Sequence, residues 1–138
     1  MRPAFISLAP PGFVVTHPMH IHLMDFQVID RRTLDVSGFD FGVGGTKTPL
    51  KLGAALPVAP EESGRKDTIG VAQNSIVTVA GRYSAGSGRY MYHCHILDHE
   101  DEGMMRPLSV MPPAVLDIHR KMATMQAAMP LAWPGGPG

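Results

Sequence analysis

The sequence predicts an all-β sandwich that ends in a single helix, and three observations carry that reading. Apolar and β-branched residues recur with a period of two through short segments, glycine- and proline-rich turns separate those segments, and the spacing changes to three and four only beyond Pro112-Pro113. About five or six short strands are expected.

Residues 1–13 read as a leader or an unrelated segment. One arginine and a weak apolar run are interrupted by Pro3, Pro10 and Pro11, which spoils them as a secretory signal. Residues 13–30 alternate in strand fashion, and Arg31-Arg32 is expected to end that strand. Residues 33–66, with Gly42-Val43-Gly44-Gly45 and prolines at 49, 57 and 60, read as a long loop holding one short strand at 39–43. Strands are then expected at 67–72, 76–80 and 90–95, with a turn at Gln73-Asn74-Ser75 and another at 81–89. A loop to residue 105 precedes a closing strand at 108–111. Together, 14–112 form the β domain. In the segment 113–129, Val115, Ile118, Met122, Met125 and Met129 mark one face of an amphipathic helix, and the two prolines suit its start. The Pro/Gly-rich residues 130–138 read as a disordered tail.

Length and charge narrow the possible functions. At 138 residues the chain is one domain, and 44% hydrophobic with 17% charged residues is ordinary for a globular protein. Twelve basic and twelve acidic side chains balance to zero, which argues against a nucleic-acid partner, because phosphate neutralisation needs a basic excess. No apolar run reaches the ~20 residues of a membrane span, so no membrane partner is expected. The single cysteine, Cys94, excludes an internal disulfide and reads as a ligand.

Six of the seven histidines and that cysteine fall in two windows: His17, His20 and His22, then His93, Cys94, His95 and His99. Successive strand side chains point to opposite faces, so His93 and His95 share one face and Cys94 takes the other. His20 and His22 likewise share a face, with His17 on the other face or in the turn that starts the strand. The windows therefore sort into two sites. His17, Cys94, His99 and Met104 make a set of two imidazoles, a thiolate and a thioether, the blue-copper arrangement. Zinc is the rival, but structural zinc usually shows paired cysteines. His20, His22, His93 and His95 make an all-imidazole set, which alone does not name its metal.

His17-Pro18-Met19-His20-Ile21-His22 and the run from His93 to Met104, of form His-Cys-His-x3-His-x4-Met, resemble the two C-terminal copper motifs of multicopper oxidases. Met105-Arg106-Pro107-Leu108 and Lys66-Asp67-Thr68 are similar to the branch holding spore-coat laccases, bilirubin oxidases and phenoxazinone synthases. The resemblance implies a plastocyanin-like, cupredoxin Greek-key sandwich. It implies type 1 copper ligands at His17, Cys94, His99 and Met104, a type 2 ligand at His20, and type 3 ligands at His22, His93 and His95. It also implies electron transfer from a small reducing substrate (a phenol, pigment or metal ion) through type 1 copper to dioxygen, which is reduced to water at the trinuclear cluster. Glu100, just after the last type 1 histidine, is a candidate proton donor.

The family's cluster also uses His-x-His motifs from an N-terminal cupredoxin domain, and the one histidine left here is His119 on the expected helix. With sixteen residues before His17, the sandwich is expected to be incomplete at its N-terminus. The chain then reads as a C-terminal domain or fragment, inactive as an oxidase alone and completed by an N-terminal cupredoxin domain or chain. The alternatives are a stand-alone blue-copper electron carrier and a nonfunctional remnant. Family members are exported, spore-coat or cytoplasmic, and the chain shows no readable address. The methionine stripe reads as a packing face, and Arg31, Arg32, Lys47, Lys51, Arg65 and Lys66 as a solvated surface around the long loop.

Overall fold

The computed structural model describes residues 2–46 and 49–128. Ten strands form two four-stranded sheets and a hairpin: β1 (Ala4–Ser7), β2 (Thr16–Ile21), β3 (Phe26–Asp35), β4 (Phe39–Asp40), β5 (Gly45–Thr46), β6 (Lys51–Ala55), β7 (Thr68–Ala72), β8 (Ser75–Gly81), β9 (Gly88–Cys94) and β10 (Met105–Val110). The first sheet runs β1-β8-β3-β6, the second β10-β9-β2-β7, and β4 pairs with β5. All pairings are antiparallel. This is the β-rich, cupredoxin-like sandwich expected from the sequence, with β1, β6, β7 and β10 at the sheet edges among the described residues.

Alternation supplies the core. Met19 and Ile21 of β2, Ile69 and Val71 of β7, Val77 and Val79 of β8, and Cys94 of β9 turn inward, joined by Met24 and Phe26. Val77, Val79 and Cys94 are wholly shielded from solvent. Side chains of alternate parity face away, His20 of β2 and His93 of β9 among them, while His17 shares the inward parity of Met19.

The expected single strand over 13–30 is two strands in two sheets. The chain crosses between sheets at residues 22–25, where Leu23 takes a left-handed φ of 55°. That conformation is costly for a branched side chain, so no local signal announced it. Arg31 and Arg32 do not end the strand either, since β3 runs on to Asp35. Strand β6 escaped the sequence reading because every residue in it is exposed, leaving no apolar alternation; its pairing with β3 alone defines it. Residues 4–7, ahead of the histidine windows, pair with β8 in register Ala4↔Thr78 to Ser7↔Ser75. The turn at 73–75 is present, with Asn74 at φ 50°. Its Oδ1 accepts from the Ala9 amide at 3.0 Å, which ties the N-terminal segment to it.

Helices are few. A short helical segment, Leu97–His99 continuing into Glu100–Met104, follows β9, and a longer helix spans Pro113–Ala128. On the longer helix Ile118, Met122 and Met125 are exposed and Val115 is half-buried, so the expected stripe is present and largely open to solvent. Met129 and the expected tail at 130–138 lie outside the described residues. No described helix is long and apolar enough to cross a membrane.

Arg31 is not part of a solvated surface. Its Nη1 donates to the Gly70 carbonyl at 2.8 Å, and its Nη2 donates to Glu62 Oε1 and Oε2 at 2.8 and 2.9 Å. Glu62 sits in the 3-10 turn Pro60–Glu62, so this clamp ties the long connection between β6 and β7 to both sheets. The arginine side chain is 10% exposed and the glutamate 22%, so removing one partner strands a partly desolvated charge. Arg31→Met is expected to cost about 2–3 kcal/mol in urea unfolding. A loss within about 0.5 kcal/mol, the range of ordinary surface changes, overturns that account of the clamp.

Candidate metal centre

The two histidine windows meet because β2 and β9 pair in register Met19↔Cys94, His20↔His93 and Ile21↔Tyr92. Directly opposed residues share a face. Cys94 therefore lies with Met19 and, two residues earlier, His17 on the inner face, while His93 lies with His20 on the outer one.

On the inner side, Cys94 Sγ stands 3.6 Å from His17 Nδ1 and 3.6 Å from His99 Nδ1. The short helical segment returns His99 to the thiol, and the two imidazole rings lie 5.0 Å apart. The donor atoms of His17, Cys94 and His99 all lie within 4.8 Å of one another, so the three residues could hold a single metal ion. Met104 packs on the core cluster that holds Cys94 and lines the same cavity as His17. Its neighbour Met105 instead begins β10, opposite His93. Gly103, at φ 109°, makes the bend that brings Met104 back, a conformation open to glycine and strained for other residues.

On the outer side His20, His93 and His95 place donor nitrogens within 4.8 Å of one another. His22 joins through Nε2, 3.1 Å from His93 Nε2. All four expected histidines come together here.

The contacts behind these rings set their tautomers. His20 Nδ1 donates to the Asp67 carbonyl at 2.9 Å, with Thr68 Oγ1 at 3.1 Å. His93 Nδ1 lies 3.1 Å from the Cys94 carbonyl and 3.2 Å from Glu100 Oε2. A carbonyl oxygen only accepts, so Nδ1 carries the proton in both rings and Nε2 keeps its lone pair for a metal. Asp67 meets the ring through its backbone carbonyl, with its carboxylate Oδ2 4.0 Å from Nδ1, and Thr68 through its hydroxyl. The sequence had marked Lys66-Asp67-Thr68 as family-like but could not say what the segment touches. Glu100 reaches the outer set although it follows a residue of the inner one. His119 is exposed on the C-terminal helix and belongs to neither donor group.

Burial, and next His99, holds the His17 pKa below its ordinary value; burial, then His20, His93 and His95, lowers that of His22 against an opposing pull from Glu100. Neutral imidazole is the form that binds metal, so the fold favours the ligating state. Both groups titrate below 6.5 when folded and near 6.5 when unfolded, so acid protonates the unfolded chain first. Their effect on stability is therefore nil above that pH and destabilising below it. The urea midpoint of the metal-free chain is expected to be lower at about pH 5.5 than at about pH 7.5; a midpoint that rises on acidification contradicts this.

The donor chemistry fits copper. Thiolate, imidazole and thioether together match a type 1 copper site, and the adjoining histidine set matches part of a trinuclear cluster. Known proteins agree. The chain is 42% identical to the laccase of Bacillus subtilis over 98 residues, which are 71% of this chain and 18% of that protein. It is 41% identical to the bilirubin oxidase of Albifimbria verrucaria over 90 residues, 65% of this chain and 13% of that one. Its fold resembles that of the multicopper oxidase McoA from the hyperthermophile Aquifex aeolicus, with a TM-score of 0.55 at 30% identity, covering 80% of this chain and 19% of that one. The chain therefore spans about a fifth or less of the length of these relatives. Residues 6–114, which carry both donor sets and the paired strands between them, match the family described as multicopper oxidase, and it is to the multicopper oxidases that this chain belongs.

Proposed function

We propose that this chain is the copper-bearing C-terminal part of a laccase-like oxidase, with His17, Cys94, His99 and Met104 as type 1 ligands. His20 would serve a type 2 copper, and His22, His93 and His95 the type 3 pair, with an N-terminal cupredoxin domain or chain supplying the remaining histidines. The observation that carries the proposal is the joining of the two donor sets at one residue: Cys94 belongs to the inner set and is bonded through backbone to His93 and His95 of the outer set.

When bound, copper supplies one-electron oxidation of a small reducing substrate at the inner set and reduction of dioxygen to water at the outer set. The chain's own residues hold the geometry for this. Thr68 and the Asp67 carbonyl orient His20, and Glu100 holds the Nδ1 proton of His93. The full burial of Cys94 keeps water from the thiolate, and burial keeps His17 neutral. The inner set is complete within the chain, which supports binding one copper without a partner, whereas the outer set lacks its other half.

Copper reconstitution followed by visible spectroscopy and metal analysis tests the assignment. About one tightly held copper per chain with an intense blue band is expected, and Cys94→Ser should abolish the band because it removes the thiolate. A chain that takes up no copper, or a band that survives the serine, overturns the assignment. Dioxygen uptake should be absent from the reconstituted chain alone.

A second measurement separates positioning from charge at Glu100. Glu100→Ala should weaken metal binding at the outer set by about 10–100-fold while leaving the blue band unchanged. Glu100→Gln retains an acceptor for His93 Nδ1 and should bind nearly as well. If glutamine is as damaging as alanine, the hydrogen bond is not what Glu100 contributes.

A further inference from the structure

We propose that Arg2, Arg65 and Arg82 form a binding site for a small, free oxyanion of multiple negative charge, a phosphate or a polycarboxylate. The cavity they line contains no residue of either donor set, so the site stands apart from the copper reading.

This cavity has a volume of about 470 Å³ and is lined by the three arginines together with Asp25 and Gln27. Backbone pairing brings them there from separate stretches of the chain. Phe26, 1% exposed, lies opposite Gly81 in the ladder between β3 and β8. It also bridges to Lys66, its amide donating to the Lys66 carbonyl at 2.7 Å and the Lys66 amide donating back at 2.8 Å. Arg82 and Arg65 each adjoin one of those partners, so they flank one buried residue from two sides. The Val79 amide donates to the Pro3 carbonyl at 3.0 Å, which holds Arg2 at the same end of β8. Gly81 permits the close approach: a Cβ there would stand 2.6 Å from the Asp25 carbonyl. The arginine side chains are exposed, and the ladder fixes where each one leaves the backbone.

The charge at this place is unbalanced. Among the described residues Arg31, Arg32 and Arg120 are paired with carboxylates, whereas Arg2, Arg65 and Arg82 are not. Asp25, the one carboxylate lining the cavity, is beyond ion-pair distance of all three. Three positive groups against one negative leave two charges uncompensated, in a chain whose formal net charge is zero.

Guanidinium keeps its charge at any pH the fold tolerates, and its planar fork of N–H donors matches the paired oxygens of a carboxylate or phosphate. Gln27 adds an uncharged amide donor. A second cavity, of about 540 Å³, shares Asp25, Arg65 and Arg82 but adds Asp67, which brings its charged groups to two against two. The positive surplus therefore lies on the Arg2 side, and the ligand with it. A volume of about 470 Å³ falls within the range of roughly 300–1,000 Å³ usual for small-molecule sites. One carboxylate engages one fork, so a site with three forks selects a small molecule bearing several anionic oxygens.

The test titrates inorganic phosphate and citrate separately into the full chain, without added metal because citrate chelates metal ions, and follows binding by calorimetry in about 0.15 M sodium chloride. Both anions are expected to bind at least about tenfold more tightly than acetate. Arg65→Gln and Arg82→Gln should each weaken citrate binding about tenfold. Arg89→Gln, at an exposed arginine outside the cavity, should change it by less than about twofold. Asp25→Asn removes the opposing charge and should tighten citrate binding about threefold, a gain that an unfolded variant cannot produce. No preference over acetate, an equal loss in Arg89→Gln, or weaker binding in Asp25→Asn overturns the proposal. A hexaglutamate peptide that binds where phosphate and citrate do not makes the arginines a docking point for an acidic chain, which equally overturns a site for a free anion.

Discussion

The pairing of β2 with β9 is the constraint on which the rest depends. Residues separated by more than seventy positions become neighbours because Met19 faces Cys94 and His20 faces His93 across one ladder. A slip of one residue would turn every side chain of a strand to the other face, sending Cys94 out of the core and a histidine into it. The register is held from the inside. Met19, Ile21 and Cys94 belong to the buried cluster with Val77 and Val79 of the facing sheet, so a slip would expose the apolar side chains that make the core. The same burial that stabilises the sandwich therefore sorts the ligands into an inner thiolate set and an outer imidazole set.

Around that ladder, backbone groups do much of the positioning. The Asp67 carbonyl, at the start of β7, and the Cys94 carbonyl each hold an Nδ1 proton, leaving a nitrogen lone pair on the ligating side. Strand β7 is in turn tied by the Arg31 clamp to Glu62 and β3, so the orientation of His20 depends on a contact at the far end of a long connection. Glu100 links the two sets by another route: it follows His99 of the inner set and touches His93 of the outer one.

The outer imidazole set matches part of a trinuclear cluster, with the donor atoms of His20, His93 and His95 held within 4.8 Å of one another. The C-terminal helix presents the exposed Met122 and Met125 to solvent.

Much of this was legible in the sequence. The periods of two and of three to four, the glycine and proline turns, and strand parity at His93-Cys94-His95 sufficed for the fold class, the helix and the division of donors, because each is a local property of the chain. What stayed hidden was non-local. The break at residues 22–25 lies within continuous apolar alternation, and β6 has no apolar face, so both exist only because other strands accept them. Arg31 looks like any surface arginine until Gly70 and Glu62 are brought to it. The sequence by itself determined which atoms are available to bind metal and which face of a strand each occupies, since side-chain alternation is built into the extended backbone. Only the tertiary structure decided that His17 and His99 stand 3.6 Å from one thiol and that carbonyls select the tautomers, because distances between strands are set by packing and pairing, which local sequence does not contain.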